Sequence, residues 1–291
     1  METWDPAANK TLFIEAVNGR VVVSYAGLSY IRSGKSSEPT DQWLVREITG
    51  LAPPPPMRKG GGPPHYFGPL QRRTIRDIQD RIRSAVDTTW PKLPAQDRAN
   101  GFEITMSGWS WPHDINRSNA RPSGILSQLE WVPGKPTEWS PVTRRRFLPV
   151  SRGWSTASIG SGTKALLTSI DQQILATGEG AAKHVTEDQV ERILVDTIRS
   201  AATPGSGIGQ DLMSVYLPIR GGNPRVRYFR THSDSLAYSP AFILSEGIVY
   251  PSALGGPMRP QIGNVEIEAI PPYTGDGNSN SMSSQPRPPF Q

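Results

Sequence analysis

The sequence predicts a layered α/β or α+β domain, and three observations carry that reading. Two β-rich runs, TLFIEAV (11–17) and RVVVSYA (20–26), are split by Asn18-Gly19. Asn-Gly between such runs is a strong hairpin signal, because both central positions of a type I′ turn need positive φ. Two helical periodicities lie back to back, the first marked by Leu166, Leu167, Ile170 and Ile174 and the second by Val190, Ile193, Leu194 and Ile198. A second hairpin, DLMSVYLP (211–218) and PRVRYF (224–229) around Gly221-Gly222, closes the pattern. Strands flanked by paired helices bury their apolar faces by stacking in layers.

The remaining elements follow in chain order. Gly27 ends the second strand, and Thr40-Asp41 reads as the cap of a short helix carrying Trp43, Leu44 and Ile48. LAPPPPMRKGGGPP (51–64) can be neither helix nor strand and opens a Pro/Gly-rich loop over 51–69. Leu70, Ile75, Ile78, Ile82 and Val86 recur at helical spacing. FEITMSGW (102–109), GILSQLEWV (124–132) and RGWSTASIG (152–160) read as strands, with PHDINRSNARP a long loop between the first two. Thr186 and Gln189 are spaced as a capping box for the helix that follows. Residues 271–291 are polar and rich in Pro, Ser and Asn, the composition of a disordered tail. The core positions are too dispersed for two independent halves, so a single domain is expected over 1–270.

Composition narrows the function. With 291 residues, 36% hydrophobic and 20% charged, the chain can bury a sizeable core. No run approaches the ~18 apolar residues of a membrane span, and no basic-then-apolar leader opens the chain, so a cytoplasmic location is expected. Zero cysteines exclude disulfides, thiolate catalysis and cysteine-held metal. The net charge is +5, with arginines gathered at Arg72, Arg73, Arg76, Arg81 and Arg83 and at Arg144-Arg145-Arg146. Asp77, Asp80 and Asp87 dilute the first group, and no nucleic-acid motif accompanies either. A basic nucleic-acid-binding module is therefore the least favoured reading.

Four chemistries are suggested by short stretches of the chain. The stretch ASIGSGTKALL (157–167) has glycines that open a helix, as phosphate loops do. It lacks the P-loop spacing, carries Ala165 where a dinucleotide fingerprint has its third Gly, and is followed by a helix pair instead of a βαβ unit. A strand-to-helix corner is the better reading, and no cofactor is expected. His113-Asp114 has no partner at ligand spacing among His65, His184 and His232, so no metal is expected. Gly-x-Ser-x-Gly is absent, and Ser161 meets that elbow pattern only loosely. Trp109, Trp111, Trp131, Trp139 and Trp154 fit core and strand-edge packing better than a carbohydrate platform.

Taken in order, these pieces resemble the proteasome β-subunit-like branch of the N-terminal-nucleophile (Ntn) hydrolases over roughly residues 4–230. Three stretches carry the resemblance. Asn9-Lys10-Thr11-Leu12-Phe13-Ile14 through Val21-Val22-Val23-Ser24-Tyr25-Ala26-Gly27-Leu28 looks like the family's lysine-led hairpin. Ser158-Ile159-Gly160-Ser161-Gly162-Thr163 looks like its Gly-Ser-Gly corner, which opens an antiparallel helix pair. Gly209-Gln210-Asp211-Leu212-Met213-Ser214-Val215-Tyr216-Leu217 looks like its closing strand.

The resemblance implies a four-layer αββα sandwich of α+β class and amide-bond hydrolysis by an N-terminal Thr, Ser or Cys whose α-amine serves as base. Carried onto this chain, Lys10 matches the lysine that eases deprotonation of the nucleophile, and Ser161 the corner serine that helps hold the amine. The implied partner is a peptide or amide substrate, with assembly of like copies a further option. The family's nucleophile starts a strand pair upstream of its lysine, whereas nine residues precede Lys10 here. Thr3 is too close to Lys10 for that role. The later acidic position falls near Ser206, with Asp211 displaced from it. An N-terminally incomplete sandwich is thus expected, with sheet edges left unpaired. Two functions stand: an amide or peptide hydrolase if a nucleophile-bearing N-terminal segment exists, or a catalytically inactive structural or protein-binding member of the same fold.

Overall fold

The computed structural model describes residues 10–33, 36–51, 65–66, 73–99, 101–111, 122–141, 145–147, 153–155, 163–179, 186–202, 211–219, 222–231, 237–238, 240–251, 254–255 and 261–270. In chain order, β1 (Thr11–Ala16) and β2 (Gly19–Gly27) form a hairpin, and β3 (Tyr30–Ser33) with β4 (Ser36–Pro39) forms a second one leading into α1 (Thr40–Thr49). After β5 (His65–Tyr66) come α2 (Ile75–Thr89), a 3-10 turn at Trp90–Lys92 and the short α3 (Ala95–Ala99). Strands β6 (Phe102–Ser110), β7 (Ser123–Glu130), β8 (Trp139–Pro141), β9 (Arg145–Phe147) and β10 (Gly153–Ser155) precede the helix pair α4 (Thr163–Glu179) and α5 (Glu187–Ala201). The remainder is β11 (Leu212–Tyr216), β12 (Arg225–Phe229), β13 (Ala237–Tyr238), β14 (Phe242–Ser245), β15 (Ile248–Pro251), β16 (Leu254–Gly255), β17 (Gln261–Ile262) and β18 (Val265–Ile270). The fold is α+β.

Eight strands make the main sheet in the order β5-β15-β14-β1-β2-β6-β7-β8, and four make a second in the order β11-β12-β18-β17. Strand alternation decides what each face meets. Leu12, Ile14, Val21, Val23, Tyr25 and Ile104 point to one side of the main sheet, where Trp43, Leu44 and Ile48 of α1 and Ile78, Ile82 and Val86 of α2 close over them in one apolar cluster. Phe13, Val22 and Ile243 point to the other side and pack against Val226, Ile262 and Val265 of the second sheet. Trp90 anchors the first core at 0% exposure, stacked on Phe102 with ring centroids 4.3 Å apart.

Local sequence explains most boundaries. Thr74 and Asp77 form a capping box that starts α2, so this helix begins at Ile75; Leu70 lies outside the described residues. Thr186 and Gln189 do the same for α5. Gly50 ends α1 in the left-handed conformation, its N–H donating to the Arg46 carbonyl at 2.8 Å.

Several expectations are corrected. The β1–β2 turn is Val17–Asn18, with Ala16 paired to Gly19, and neither turn residue has positive φ. Gly19 is needed for a different reason: a Cβ there would lie 2.1 Å from the Trp109 carbonyl oxygen and 2.5 Å from Ile75 Cδ1. Asn18 instead caps α2, its Oδ1 accepting from the Ile75 N–H at 2.8 Å. A turn with two left-handed residues occurs elsewhere, at Glu246 (φ 53°) and Gly247 (φ 82°) between β14 and β15. Thr40 does not cap α1; its hydroxyl donates to the Leu28 carbonyl at 2.8 Å, and Pro39 holds the cap position. In α5 the fully buried residues are Val195 and Thr197, while Val190, Ile193, Leu194 and Ile198 are only half-buried.

The edges differ from expectation too. The side of β1 away from β2 is occupied by β14 in parallel pairing, and the side of β12 away from β11 by β18, also in parallel. Hairpins β14–β15 and β17–β18, both from residues 242–270, thus extend one sheet each. The Pro/Gly loop at 52–64, the loop at 112–121 and the tail at 271–291 lie outside the described residues.

Candidate functional site around Lys10

Lys10 sits immediately before β1, and its carbonyl accepts from the Tyr25 N–H at 3.1 Å, which extends the β1–β2 ladder by one residue. Its ammonium donates to the Gly27 carbonyl at 3.4 Å. Gly27 holds that carbonyl in place with φ 105°, at a point where a Cβ would come within 2.4 Å of the Gly101 carbonyl oxygen. Burial lowers the Lys10 pKa below its ordinary value, because an ammonium removed from water loses hydration. A half-buried lysine of this kind gives up its proton more readily than a surface one.

The next residue starts a row of polar side chains. Thr11 pairs with Ser24, Ser24 with Thr105, and Thr105 with Gln128, in register across β1, β2, β6 and β7. Alternation sets these four on the sheet face shared by Phe13 and Val22, the one turned toward the second sheet. Thr11 Oγ1 and Ser24 Oγ lie 3.4 Å apart, and all four residues are half-buried. Hydroxyls in register on one sheet face are groups that can donate, accept and relay protons. The sequence hinted at this row through Ser24, a polar residue inside the apolar run VVVSYA, but its partners become neighbours only once the register is known.

A second polar cluster occupies the other end of β1. The Ser245 hydroxyl donates to Glu15 Oε2 at 2.6 Å, and Asn264 Nδ2 donates to Glu15 Oε1 at 3.2 Å. Arg20 Nε lies 3.6 Å from Glu15 Oε1, and its Nη1 donates to the Gly222 carbonyl at 3.0 Å. The cluster links β1, β2 and β14 of the main sheet to two turns of the second one. Ser245 is 1% exposed, so a substrate has no approach to it. These groups satisfy one another and lock the sheets together, which is what buried polar groups require.

Of the two residues implied by the resemblance, Lys10 is positioned as described and Ser161 lies outside the described residues. His113, Asp114, His184, His232 and Arg144 also lie outside them. Among the described residues no group of three or more His, Asp or Glu could hold a metal ion. No described helix is long and apolar enough to cross a membrane. Three indoles serve packing: Trp109 Nε1 donates to the Leu217 carbonyl at 3.0 Å, tying the two sheets, and Trp139 Nε1 to the Gln79 carbonyl at 2.8 Å, while Trp131 packs against the first core. Two arginines of α2 are also engaged, Arg81 with the Glu47 carbonyl and Arg83 with Asp80. Comparison with family models, curated proteins and solved structures finds no match for this chain.

Proposed function

We propose that this chain is a proteasome-β-like Ntn-fold protein, a four-layer αββα sandwich built for amide or peptide-bond hydrolysis. Support for the architecture comes from the stacking of α1 and α2 on the main sheet, of that sheet on the second, and of α5 on the second sheet's outer face. The observation that carries the chemistry is Lys10 itself, half-buried at the head of the β1–β2 hairpin with its pKa lowered and its ammonium donating to the Gly27 carbonyl.

In this reading a hydroxyl nucleophile attacks the carbonyl carbon of the substrate amide. Its proton passes to a nearby amine, and the same proton then goes to the departing amine of the substrate. Water afterwards hydrolyses the ester. Lys10 in its ammonium form stabilises the developing oxyanion, and its lowered pKa eases release of its proton. Ser161 would act as a positioning hydroxyl at the corner that opens α4. The nucleophile would be the Thr or Ser of a segment with a free α-amine.

The experiment is turnover of fluorogenic peptide amides by the native protein, its N-terminus defined by intact mass, with Lys10→Met and Lys10→Arg alongside. Loss of roughly a hundredfold or more in Lys10→Met, with unchanged secondary structure, is the expected result. Full activity in Lys10→Met would remove Lys10 from the mechanism.

One observation favours a second reading, a non-catalytic structural or protein-binding member of the fold. Strands β14 and β18, from residues 242–270, take the sheet positions beside β1 and β12. Absence of turnover in a wild-type protein with its native N-terminus would select that reading.

A further inference from the structure

Toward its Tyr216–Arg225 end the outer face of β11, β12 and β18 is charged and hydroxylic, because alternation turns Met213, Val215, Val226 and Val265 inward and leaves Ser214, Tyr216, Arg225, Arg227 and Glu268 outward; Leu212, Phe229 and Ile270 share that face at the other end. The first two turns of α5 cover this strip with Glu187, Asp188 and Glu191. Arg227 is the hub: its Nη1 donates to Glu191 Oε2 at 2.6 Å and to Asp188 Oδ1 at 3.0 Å, and its Nε donates to Glu268 Oε2 at 2.9 Å. Arg225 Nη2 lies 3.7 Å from Asp188, with its guanidinium 5.3 Å from the Tyr216 ring centroid. The Ser214 hydroxyl donates to Glu191 and the Tyr216 hydroxyl to Glu187. The C-terminal half of α5 is held differently, by buried Val195 and Thr197, by Gln173 of α4 donating to Thr197 Oγ1 at 3.0 Å, and by Arg199 donating to the Arg230 carbonyl at 3.1 Å.

We propose that the first two turns of α5 form an ionic lid, hinged on the packed C-terminal half and released by screening of its charges. Lifting these turns returns three carboxylates to water, and Arg227 keeps Glu268 as a partner on the sheet. Opening therefore strands no buried charge, and the apolar side chains it frees, Val190, Ile193 and Leu194, are already partly exposed. Asp188, at 70% side-chain exposure, and Glu268, at 53%, face solvent and are open to screening. The release uncovers a strip of two guanidiniums and two hydroxyls. This inference stands apart from the hydrolase reading.

The test is amide exchange on the full chain at about 0.05 M and about 0.5 M NaCl, a range over which the screening length falls to a few ångströms. Amides of residues 190–194 in α5 are expected to exchange about tenfold faster at the higher salt, with residues 78–86 of α2 unchanged. Asp188→Asn removes a surface carboxylate without touching the core; it is expected to raise α5 exchange at low salt and to shrink the salt response. An α5 rate that ignores salt, an α2 rate that rises in step with it, or an Asp188→Asn response equal to the wild type would each overturn the lid.

Discussion

Two helix layers cover two sheets, and they are attached by different physics. On the main sheet, Trp43, Leu44 and Ile48 of α1 and Ile78, Ile82 and Val86 of α2 are between 0% and 2% exposed. Each such side chain contributes about 1.5–3 kcal/mol by leaving water, an attraction that salt does not screen. On the second sheet, α5 has only Val195 and Thr197 fully buried, and its N-terminal half is attached through Arg227, Arg225, Ser214 and Tyr216. Burial lowers Arg227 but its hydrogen bonds and charge pairing with Glu191 and Glu268 outweigh that and raise it; burial and the bond to Glu187 push Tyr216 up to about 12. The difference teaches that an amphipathic pattern does not say what attaches a helix. The stripe Val190-Ile193-Leu194-Ile198 is as regular as that of α2, yet it stays half-buried because the sheet beneath its N-terminal half is polar.

The sharpest way to break this contrast is Trp43→Ala. Trp43 is 1% exposed with its ring edge-on to Phe102 at 6.3 Å. Truncation is expected to cost about 3–5 kcal/mol of global stability in urea denaturation, and a loss under about 1 kcal/mol would deny the apolar layer its dominant role. Glu191→Gln is the counterpart on the ionic side. Its expected cost is about 1–2 kcal/mol, because Arg227 keeps Glu268 while losing its shortest carboxylate contact. That loss should appear in local exchange of α5 and leave α2 untouched.

The two capping boxes offer a matched pair. Thr74→Ala and Thr186→Ala each remove a hydroxyl that accepts from the third helical N–H, worth about 1 kcal/mol. Global unfolding should register the first and only local opening of α5 the second; equal effects on the global midpoint would erase the distinction.

Smaller changes come from pH. Hydrogen bonds from Thr74, first its side chain and then its backbone, lower the Asp77 pKa below 3.8. The folded state therefore binds this proton less readily than the unfolded one, and the stabilisation present above pH 3.8 is lost as pH falls below it. Exchange at the start of α2 should accelerate in that window, and Thr74→Ala, which removes the hydroxyl and keeps the backbone N–H, should shrink the effect. Lys10 works in the opposite range. With its folded pKa below 10.5, the unfolded chain holds the extra proton, so stability rises as pH climbs from the lowered value toward 10.5. Lys10→Met should flatten that slope in urea titrations.

How much of this was legible in the sequence depends on range. Local signals read well: the two hairpins, the helix pair, the capping box Thr186-x-x-Gln189, and strands β6 and β7 all rest on residues a few positions apart; the box Thr74-x-x-Asp77 is equally local, but the apolar spacing from Leu70 hid it. Strands β14, β15, β17 and β18 were not legible. They are two to six residues long, and β14 and β18 gain their place from parallel pairing with β1 and β12, more than 35 positions away. The turn between β14 and β15 is Glu246-Gly247, which lacks the Asn that advertises a left-handed pair. At the candidate site, Lys10 came from a resemblance, while Thr11, Ser24, Thr105 and Gln128 needed a register that no local pattern encodes. The Arg227 hub likewise gathers carboxylates from α5 and β18 that are 36 to 41 positions away.

The measurement that bears most directly on the two-layer account is native-state hydrogen exchange in rising urea. The account predicts that residues 78–86 of α2 exchange only through global unfolding, with the full denaturant dependence. Residues 190–194 of α5 should open at lower free energy and with a shallower dependence on urea. If the two sets of amides instead follow one common isotherm from the lowest urea upward, the layers unfold as a unit and the account is contradicted.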